Sequence, residues 1–320
     1  MKFKESQYLH QAQCAKEHPE YFENDLLGGV FRKKKQPFAL QKDKGERNLF
    51  ESIRIDTLTY FKENGISWWN GTSPTNHMLS SQIACLNHLF AIRHDYDAAK
   101  AIAETISGFE FDSILKVPDD KGKLGYIAFE EVSGIHNFLN EGKPSRGSNC
   151  TSIDALLFAE KDNEKWIIPI EWKYVEQYST FDKSKGNPGK VRVSRYAELI
   201  NQSEYLKTLS PIEGSIYFQE PFYQLMRQTL WAENEIKRGD VRFSGAKHFI
   251  HAHVVPNENK ELLQRNYRVS GLKMEDTWRA CLKKDVYRLI TPKDLFKSIC
   301  NNPVLSKRYN NLIEYLNNRY

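Results

Sequence analysis

Residues 149 to 176 read NCTSIDALLFAEKDNEKWIIPIEWKYVE. They set Asp154 inside one apolar run and Glu171 and Lys173, on either side of Trp172, inside another. Charges buried in such segments are costly unless something uses them. The two runs, TSIDALLFAE and WIIPIEWKYVE, are rich in β-formers and separated by KDNEK, which reads as a hairpin. A turn centred on Asp162 and Asn163 places Asp154 directly opposite Glu171. Lys173 then shares the face of Glu171, because side chains alternate along a strand. Two carboxylates this close raise each other's pKa until a cation neutralises them. Oxygen donors without His or Cys select a hard cation, Mg²⁺ or Mn²⁺, and a lysine beside it can steady an attacking water or a phosphate oxygen. Such a set can hydrolyse a phosphodiester. A register shifted by one residue would separate the acids, and the bland alternative is a buried ion pair of Lys173 with one of them.

The surrounding elements must hold that hairpin. SSQIACLNHLFAIRHDYDAAKAIAETI, from Ser80, repeats apolar residues at helical spacing with Ser80 or Ser81 as N-cap, and reads as a long core helix. YIAFEEVSG reads as a strand before the hairpin, EPFYQLMRQTLWAENEIKR as a helix after it, and KHFIHAHVVP as a further strand. Helix, three strands, helix and strand in that order make an α/β core. Between them, FDKSKGNPGKVRVSR at 181–195 reads as a basic loop with Gly and Pro at its centre. The N-terminal part, with FRKKKQPF and SWWNGTSPTN, reads as a peripheral layer, and the C-terminal residues as mostly helical with a capped start at TPKDLF.

The spaced Asp154…Glu171-Trp172-Lys173 resembles the D…(D/E)xK signature of the PD-(D/E)XK, or restriction-endonuclease-like, nuclease superfamily, whose αβββαβ core order matches the one just read. HMLSSQIACLNHL, EEVSGIHNFL, RGSNCTSIDALL, EWKYVEQY and FYQLMRQTL are similar to segments of a group of bacterial restriction-endonuclease relatives, a resemblance spanning about residues 77 to 255. The proline of the superfamily name is Ile153 here. The resemblance implies a mixed central sheet flanked by helices, with 1–76 as a packed N-terminal segment, 77–255 as the nuclease core and 256–320 as a helical extension of the same domain. It implies a Mg²⁺-dependent endonuclease cutting DNA to 5′-phosphate ends, with Mn²⁺ able to substitute, in restriction or phage defence. Asp154, Glu171 and the backbone carbonyl of Trp172 become metal ligands and Lys173 the catalytic lysine. Glu131 matches an acidic position of those relatives, and Gln82 stands where many superfamily members have Glu. The alternative is a DNA-binding or assembly component that does not cut.

Other residues read more openly. Glu176 is a surface acid or a supporting one. Gln224 and Gln228, four apart on one helix face, can grip a phosphate or orient a site residue. Lys183, Lys185, Lys190, Arg192 and Arg195 would neutralise phosphates along DNA. His251 and His253 lack a third metal ligand at a recognisable spacing and read as a packed or surface pair. Trp68 and Trp69 read as loop anchors or base-stacking groups. The 46 basic and 41 acidic residues give a net charge of +5, too mild to establish a nucleic-acid partner alone. No apolar stretch reaches membrane-spanning length. Five scattered cysteines without a CxxC pair, and an N-terminus without an apolar leader, fit a reduced cytoplasmic protein. DNA is the expected partner and a membrane is not; a homodimer is compatible with this reading.

Overall fold

The β-rich run folds as its turn demands. Strands β7 (Ser152–Lys161) and β8 (Glu164–Trp172) pair antiparallel from Lys161↔Glu164 to Ala155↔Ile170. Asp162 and Asn163 both take left-handed backbone, φ 52° and 60°, as a two-residue hairpin turn requires. This is the register read from the sequence, with Asp154 and Glu171 one step beyond the last laddered pair. The structure, a computed structural model, describes residues 1–24, 28–69, 71–119, 121–132, 139–142, 150–238 and 241–320.

The N-terminal segment holds helix α1 (Phe3–Glu17), a small hairpin of β1 (Val30–Phe31) and β2 (Lys34–Lys35), and helix α2 (Arg54–Glu63). The long helix expected from Ser80 is two: α3 (Ser81–Leu89) and α4 (Tyr96–Ser107), joined through a 3₁₀ turn at Phe90–Ile92. Asp95 caps the second by accepting the Asp97 and Ala98 N–H groups at 3.0 and 3.2 Å, so a polar capping residue outweighs the continuing apolar pattern. Ser80 caps the first, through Ile83 N–H. Short strands β3 (Ser113–Leu115), β4 (Val117–Pro118) and β5 (Leu124–Gly125) precede β6 (Ile127–Val132).

After the hairpin, α5 (Gly186–Gln202) occupies most of the segment expected to be a basic loop. Gly189 lets its first turn pass over Ser184, where a Cβ would lie 2.1 Å from the Ser184 carbonyl. The glycine that suggested a loop is thus a packing residue. Then follow α6 (Phe222–Arg238), β9 (Ala246–Phe249), β10 (His251–Val254), α7 (Lys260–Leu263), α8 (Met274–Cys281), β11 (Tyr287–Ile290), α9 (Pro292–Asn301), α10 (Pro303–Arg308) and α11 (Asn310–Arg319). Thr291 caps α9 by accepting the Asp294 N–H at 3.0 Å, as TPKDLF indicates.

The described residues form one mixed seven-stranded sheet centred on β7 and β8. β3 and β6 line β7 antiparallel; β9 and β10 line β8 parallel, and β11 extends β10 in parallel. Helices cover both faces, which is why β7 and β8 are apolar almost throughout. One core joins α3, α4, α9 and α11 to Ala155, Leu157 and Ile170; the other joins α5, α6 and α8 to Leu156, Phe158 and Ile167. Phe3 and Phe22 from the N-terminal segment lie in the first core beside Leu312 and Tyr315.

The turn can be tested directly. A β-branched side chain is strained in left-handed backbone, so Asn163→Val should lose about 1–2 kcal/mol of unfolding free energy, whereas Asn163→Gly should hold stability within about 0.5 kcal/mol. Urea unfolding of both variants is the check, and equal loss in the two would contradict this turn geometry.

Candidate active site

Beyond Ala155↔Ile170 the ladder gives way to side chains. The Trp172 N–H donates to Asp154 Oδ2 at 2.7 Å, tying the end of β8 to the acid on β7. Glu171 and Lys173 are both buried, and the Lys173 ammonium donates to one Glu171 oxygen. The other oxygen accepts from the Gln228 side-chain amide of α6. Gln228 also donates to the Ser152 carbonyl at 3.0 Å, and its own carbonyl oxygen meets His251 Nε2 at 2.9 Å. Because the Gln228 amide nitrogen is committed to two acceptors, His251 must carry its proton on Nε2. Burial pushes His251 down to about 3, so it stays neutral at physiological pH.

These groups open onto a cavity of about 850 Å³ whose wall includes Asp154, Glu171, Lys173, Glu130, Gln82 and Gln228. Burial, then the Glu171 carboxylate, hold the Asp154 acid well above the usual carboxylate range, with Lys173 opposing them. Burial pushes the Lys173 ammonium down, but Glu171 and its neighbours outweigh that and leave it above an ordinary lysine. Lys173 is therefore charged, and Asp154 is the acid short of a cation.

Glu131, expected beside the metal, is turned away: it pairs with Arg242 at 2.7 Å. Its neighbour Glu130, which strict alternation along the strand would place on the opposite face from Glu131, is the cavity acid. Phe129↔Ala155 and Glu131↔Ile153 pair normally, which puts Glu130 across from Asp154, and Glu130 takes φ 54°. That left-handed residue interrupts the alternation on which the sequence reading relied. Ser152 donates to Glu130 at 2.8 Å, and the Gln82 amide donates to its other oxygen. Gln82 is thus a hydrogen-bond donor to an acid, and its own oxygen accepts the Trp69 N–H at 3.0 Å.

Glu176 and Gln224 also line the cavity; Glu176 accepts the Tyr174 N–H at 2.6 Å and Gln224 accepts the Tyr178 hydroxyl at 3.3 Å. Lys183, Lys185, Lys190, Arg192 and Arg195 are not in its wall. Lys183 pairs with Glu220 at 2.8 Å, Lys185 with Glu213 at 3.5 Å, and Arg192 donates to the Lys183 carbonyl at 3.0 Å, while Lys190 is exposed on α5. The cavity's other cations come from the N-terminal segment read as peripheral, Lys4, Arg32 and Lys34, together with Arg227. The basic run FRKKKQPF carried that signal, but only the tertiary fold brings it here. Trp68 is buried and stacks on Phe61 at 3.9 Å, whereas Trp69 is exposed in the cavity wall with Arg32 5.8 Å from its ring.

Behind this wall, buried Glu141 accepts from the Thr151 backbone N–H and hydroxyl, the Tyr196 hydroxyl at 2.6 Å and Arg227 at 3.0 Å. It pins the start of β7 to α5 and α6; nothing in its sequence context marked it. Residues 133–138 and 143–149 of the EEVSGIHNFL and GKPSRGSN segments, Gly134 among them, lie outside the described residues.

A hard cation suits the donor chemistry here, since Asp154, Glu171 and the Trp172 carbonyl are all oxygens and Asp154 lacks a neutralising charge. It would not find a ready-made nest. Both Glu171 oxygens are engaged, and among the described residues no three His, Cys, Asp or Glu side chains are grouped to hold a metal. His251 and His253 are buried, His253 against the Tyr287 hydroxyl at 2.8 Å. Among the described residues no helix is long and apolar enough to cross a membrane.

A family model described as Restriction Endonuclease associating with ARP, REase-ARP, matches residues 4–320. No curated protein and no solved structure matches the chain significantly.

The raised Asp154 has a thermodynamic signature. A carboxyl whose folded pKa lies above its unfolded value, about 3.9, loses the protein stability as pH rises from that value towards the folded one. Without a metal, ionised Asp154 is therefore a liability at neutral pH. Asp154→Asn should unfold at a temperature equal to or above wild type at pH 7 in chelator, with a shallower decline above about pH 4. Thermal unfolding across that range decides it, and a lower, equally pH-dependent midpoint would contradict the assignment.

Proposed function

Because the chain belongs to the family of restriction endonucleases associating with ARP, we propose that it is a Mg²⁺-dependent deoxyribonuclease of the PD-(D/E)XK kind, serving in restriction or phage defence. The observation that carries this reading is the convergence of Asp154, Glu171 and Lys173 on one cavity from the two strands of a single hairpin. Asp154, Glu171 and the Trp172 carbonyl would hold the cation. The chemistry it supplies when bound is Lewis-acid stabilisation of charge on phosphate oxygens and a lowered pKa for a coordinated water.

The chain's own residues do the rest. Lys173, charged and in the cavity wall beside Glu171, would hold an attacking water or a phosphate oxygen. Gln228, oriented by neutral His251, keeps Glu171 facing the cavity. Gln82 and Ser152 hold Glu130 across from Asp154, where its charge adds to the attraction for the cation. Lys4, Arg32 and Lys34 draw the phosphate backbone to the cavity mouth, and Lys190, exposed on α5, extends that track.

The alternative, a component that holds DNA without cutting, is favoured by one observation: both Glu171 oxygens are already engaged and no metal-holding trio stands ready among the described residues. Incubation of supercoiled plasmid with the protein in Mg²⁺, Mn²⁺ or chelator separates the two. The nuclease reading expects nicking or linearisation with either metal, none in chelator, and at least about a hundredfold slower cutting by Asp154→Asn at unchanged DNA affinity. Binding without cutting under every condition would establish the alternative.

The DNA path is tested by salt. Each phosphate contact removed lowers the slope of log affinity against log salt by about 0.9 for duplex DNA. Arg32→Ala with Lys34→Ala should flatten the slope by nearly two such steps, and Lys183→Ala with Lys185→Ala by less, because those two cations are paired with acids. Fluorescence anisotropy with Ca²⁺ in place of Mg²⁺ gives both slopes; the reverse order would move the DNA from the hairpin to α5.

A further inference from the structure

A second cavity, of about 650 Å³, lies between α2, the junction of α3 with α4, the β4–β5 hairpin and the α10–α11 corner. Arg93 lines it and is 7% exposed. Its guanidinium lies over the Tyr60 ring, 4.3 Å from the centroid, and 5.3 Å from that of Phe90. Gly125 also comes close: a Cβ there would stand 3.0 Å from the nearer Nη. Among the described residues this guanidinium has no ion pair, and its buried Nε has no hydrogen-bond acceptor.

That is an unusual state for a group with five donors, since a buried charge left uncompensated is strongly destabilising. The nearby acids are otherwise used. Asp119 accepts the Lys121 and Lys123 N–H groups, both at 2.9 Å, to close its own turn, and Glu63 pairs with Lys123 at 2.5 Å. Asp56 is exposed on α2. Arg308 at the rim pairs with Asp95, whereas Lys307 beside it is exposed with no ion pair among the described residues. Arg93 and Lys307, one deep and one at the rim, thus face the same space without an ion-pair partner of their own among the described residues, in a wall that also carries Asp56, Glu63 and Asp119.

We infer that this cavity binds a small organic phosphate of about mononucleotide size. The Arg93 guanidinium, held over the Tyr60 ring and close to Gly125, is the planar, multiply donating group that receives a phosphate through two parallel hydrogen bonds. The space falls within the range of about 300–1,000 Å³ that encloses small ligands. Such a phosphate would supply the acceptors that Arg93 lacks. The site is separate from the proposed catalytic cavity and does not depend on that assignment.

Isothermal titration calorimetry on the full chain, with AMP, inorganic phosphate and adenosine as probes, tests it. Wild type should bind AMP, bind inorganic phosphate more weakly, and ignore adenosine. Arg93→Met should weaken AMP at least about tenfold, and, because it replaces an uncompensated buried charge by an apolar chain, should unfold no earlier than wild type in the absence of ligand. Lys307→Ala, an exposed change that leaves the fold untouched, should weaken AMP by a smaller factor. Arg32→Ala with Lys34→Ala should leave AMP binding unchanged, which separates this cavity from the basic hairpin. No AMP binding by wild type, equal binding by Arg93→Met, or loss of binding only in the hairpin variant would overturn the inference; the first would leave water as the partner of Arg93.

Discussion

A carboxylate taken out of water must be met on every side, and the half of this fold that carries the hairpin cavity is arranged around one such group, Glu171. Its two oxygens accept from Lys173 on its own strand and from Gln228 on α6. Gln228 is in turn fixed by the Ser152 carbonyl and by His251 on β10. One buried charge thereby links three sheet strands and the helix packed on them. Such a pair contributes little net stability compared with apolar packing, because desolvation cancels most of the attraction. What it gives is position. The acid, the lysine and the amide can each occupy one place only.

Asp154 is the counterpart. It accepts a backbone N–H and sits near the same ammonium, yet its nearest strong influences are burial and another acid. The asymmetry between a satisfied Glu171 and an unsatisfied Asp154 is the electrostatic ground on which we propose a cation there. Arg93, in the second cavity, shows the opposite sign of the same condition, a buried cation without an ion-pair partner among the described residues.

The hairpin could be read from the sequence because its determinants are local. Two β-rich runs, a two-residue turn and period-two alternation fix which residues meet, and the pairing of Asp154 with Glu171 followed from that alone. Glu130 could not be read the same way, since one left-handed residue inside β6 breaks the alternation and exchanges it with Glu131. The break between α3 and α4 was legible only as an aspartate amid apolar periodicity. Gly189 spoke for a loop, yet its missing side chain is what lets α5 pack against Ser184. The cations of the β1–β2 hairpin were visible as a basic run, but their arrival at the cavity depends on contacts between elements far apart in the chain, as does the Glu141 network.

The packing of α3 sets the time at which the site can exist. Asn87, on the helix whose first turn carries Gln82, is fully buried and donates to the Tyr315 hydroxyl at 3.0 Å and the Tyr320 hydroxyl at 2.9 Å. Gln11 of α1 donates to the Arg319 carbonyl at 2.6 Å, a contact spanning 308 positions. Loops that long close late, and contacts of such sequence separation slow folding. A chain still on the ribosome has its β7–β8 hairpin long before it has α11, so during synthesis α3 lacks the partners that seat it. The order of translation therefore works as a delay, in which the acids are made early and the helix that completes their cavity is locked only once residues 315–320 have emerged.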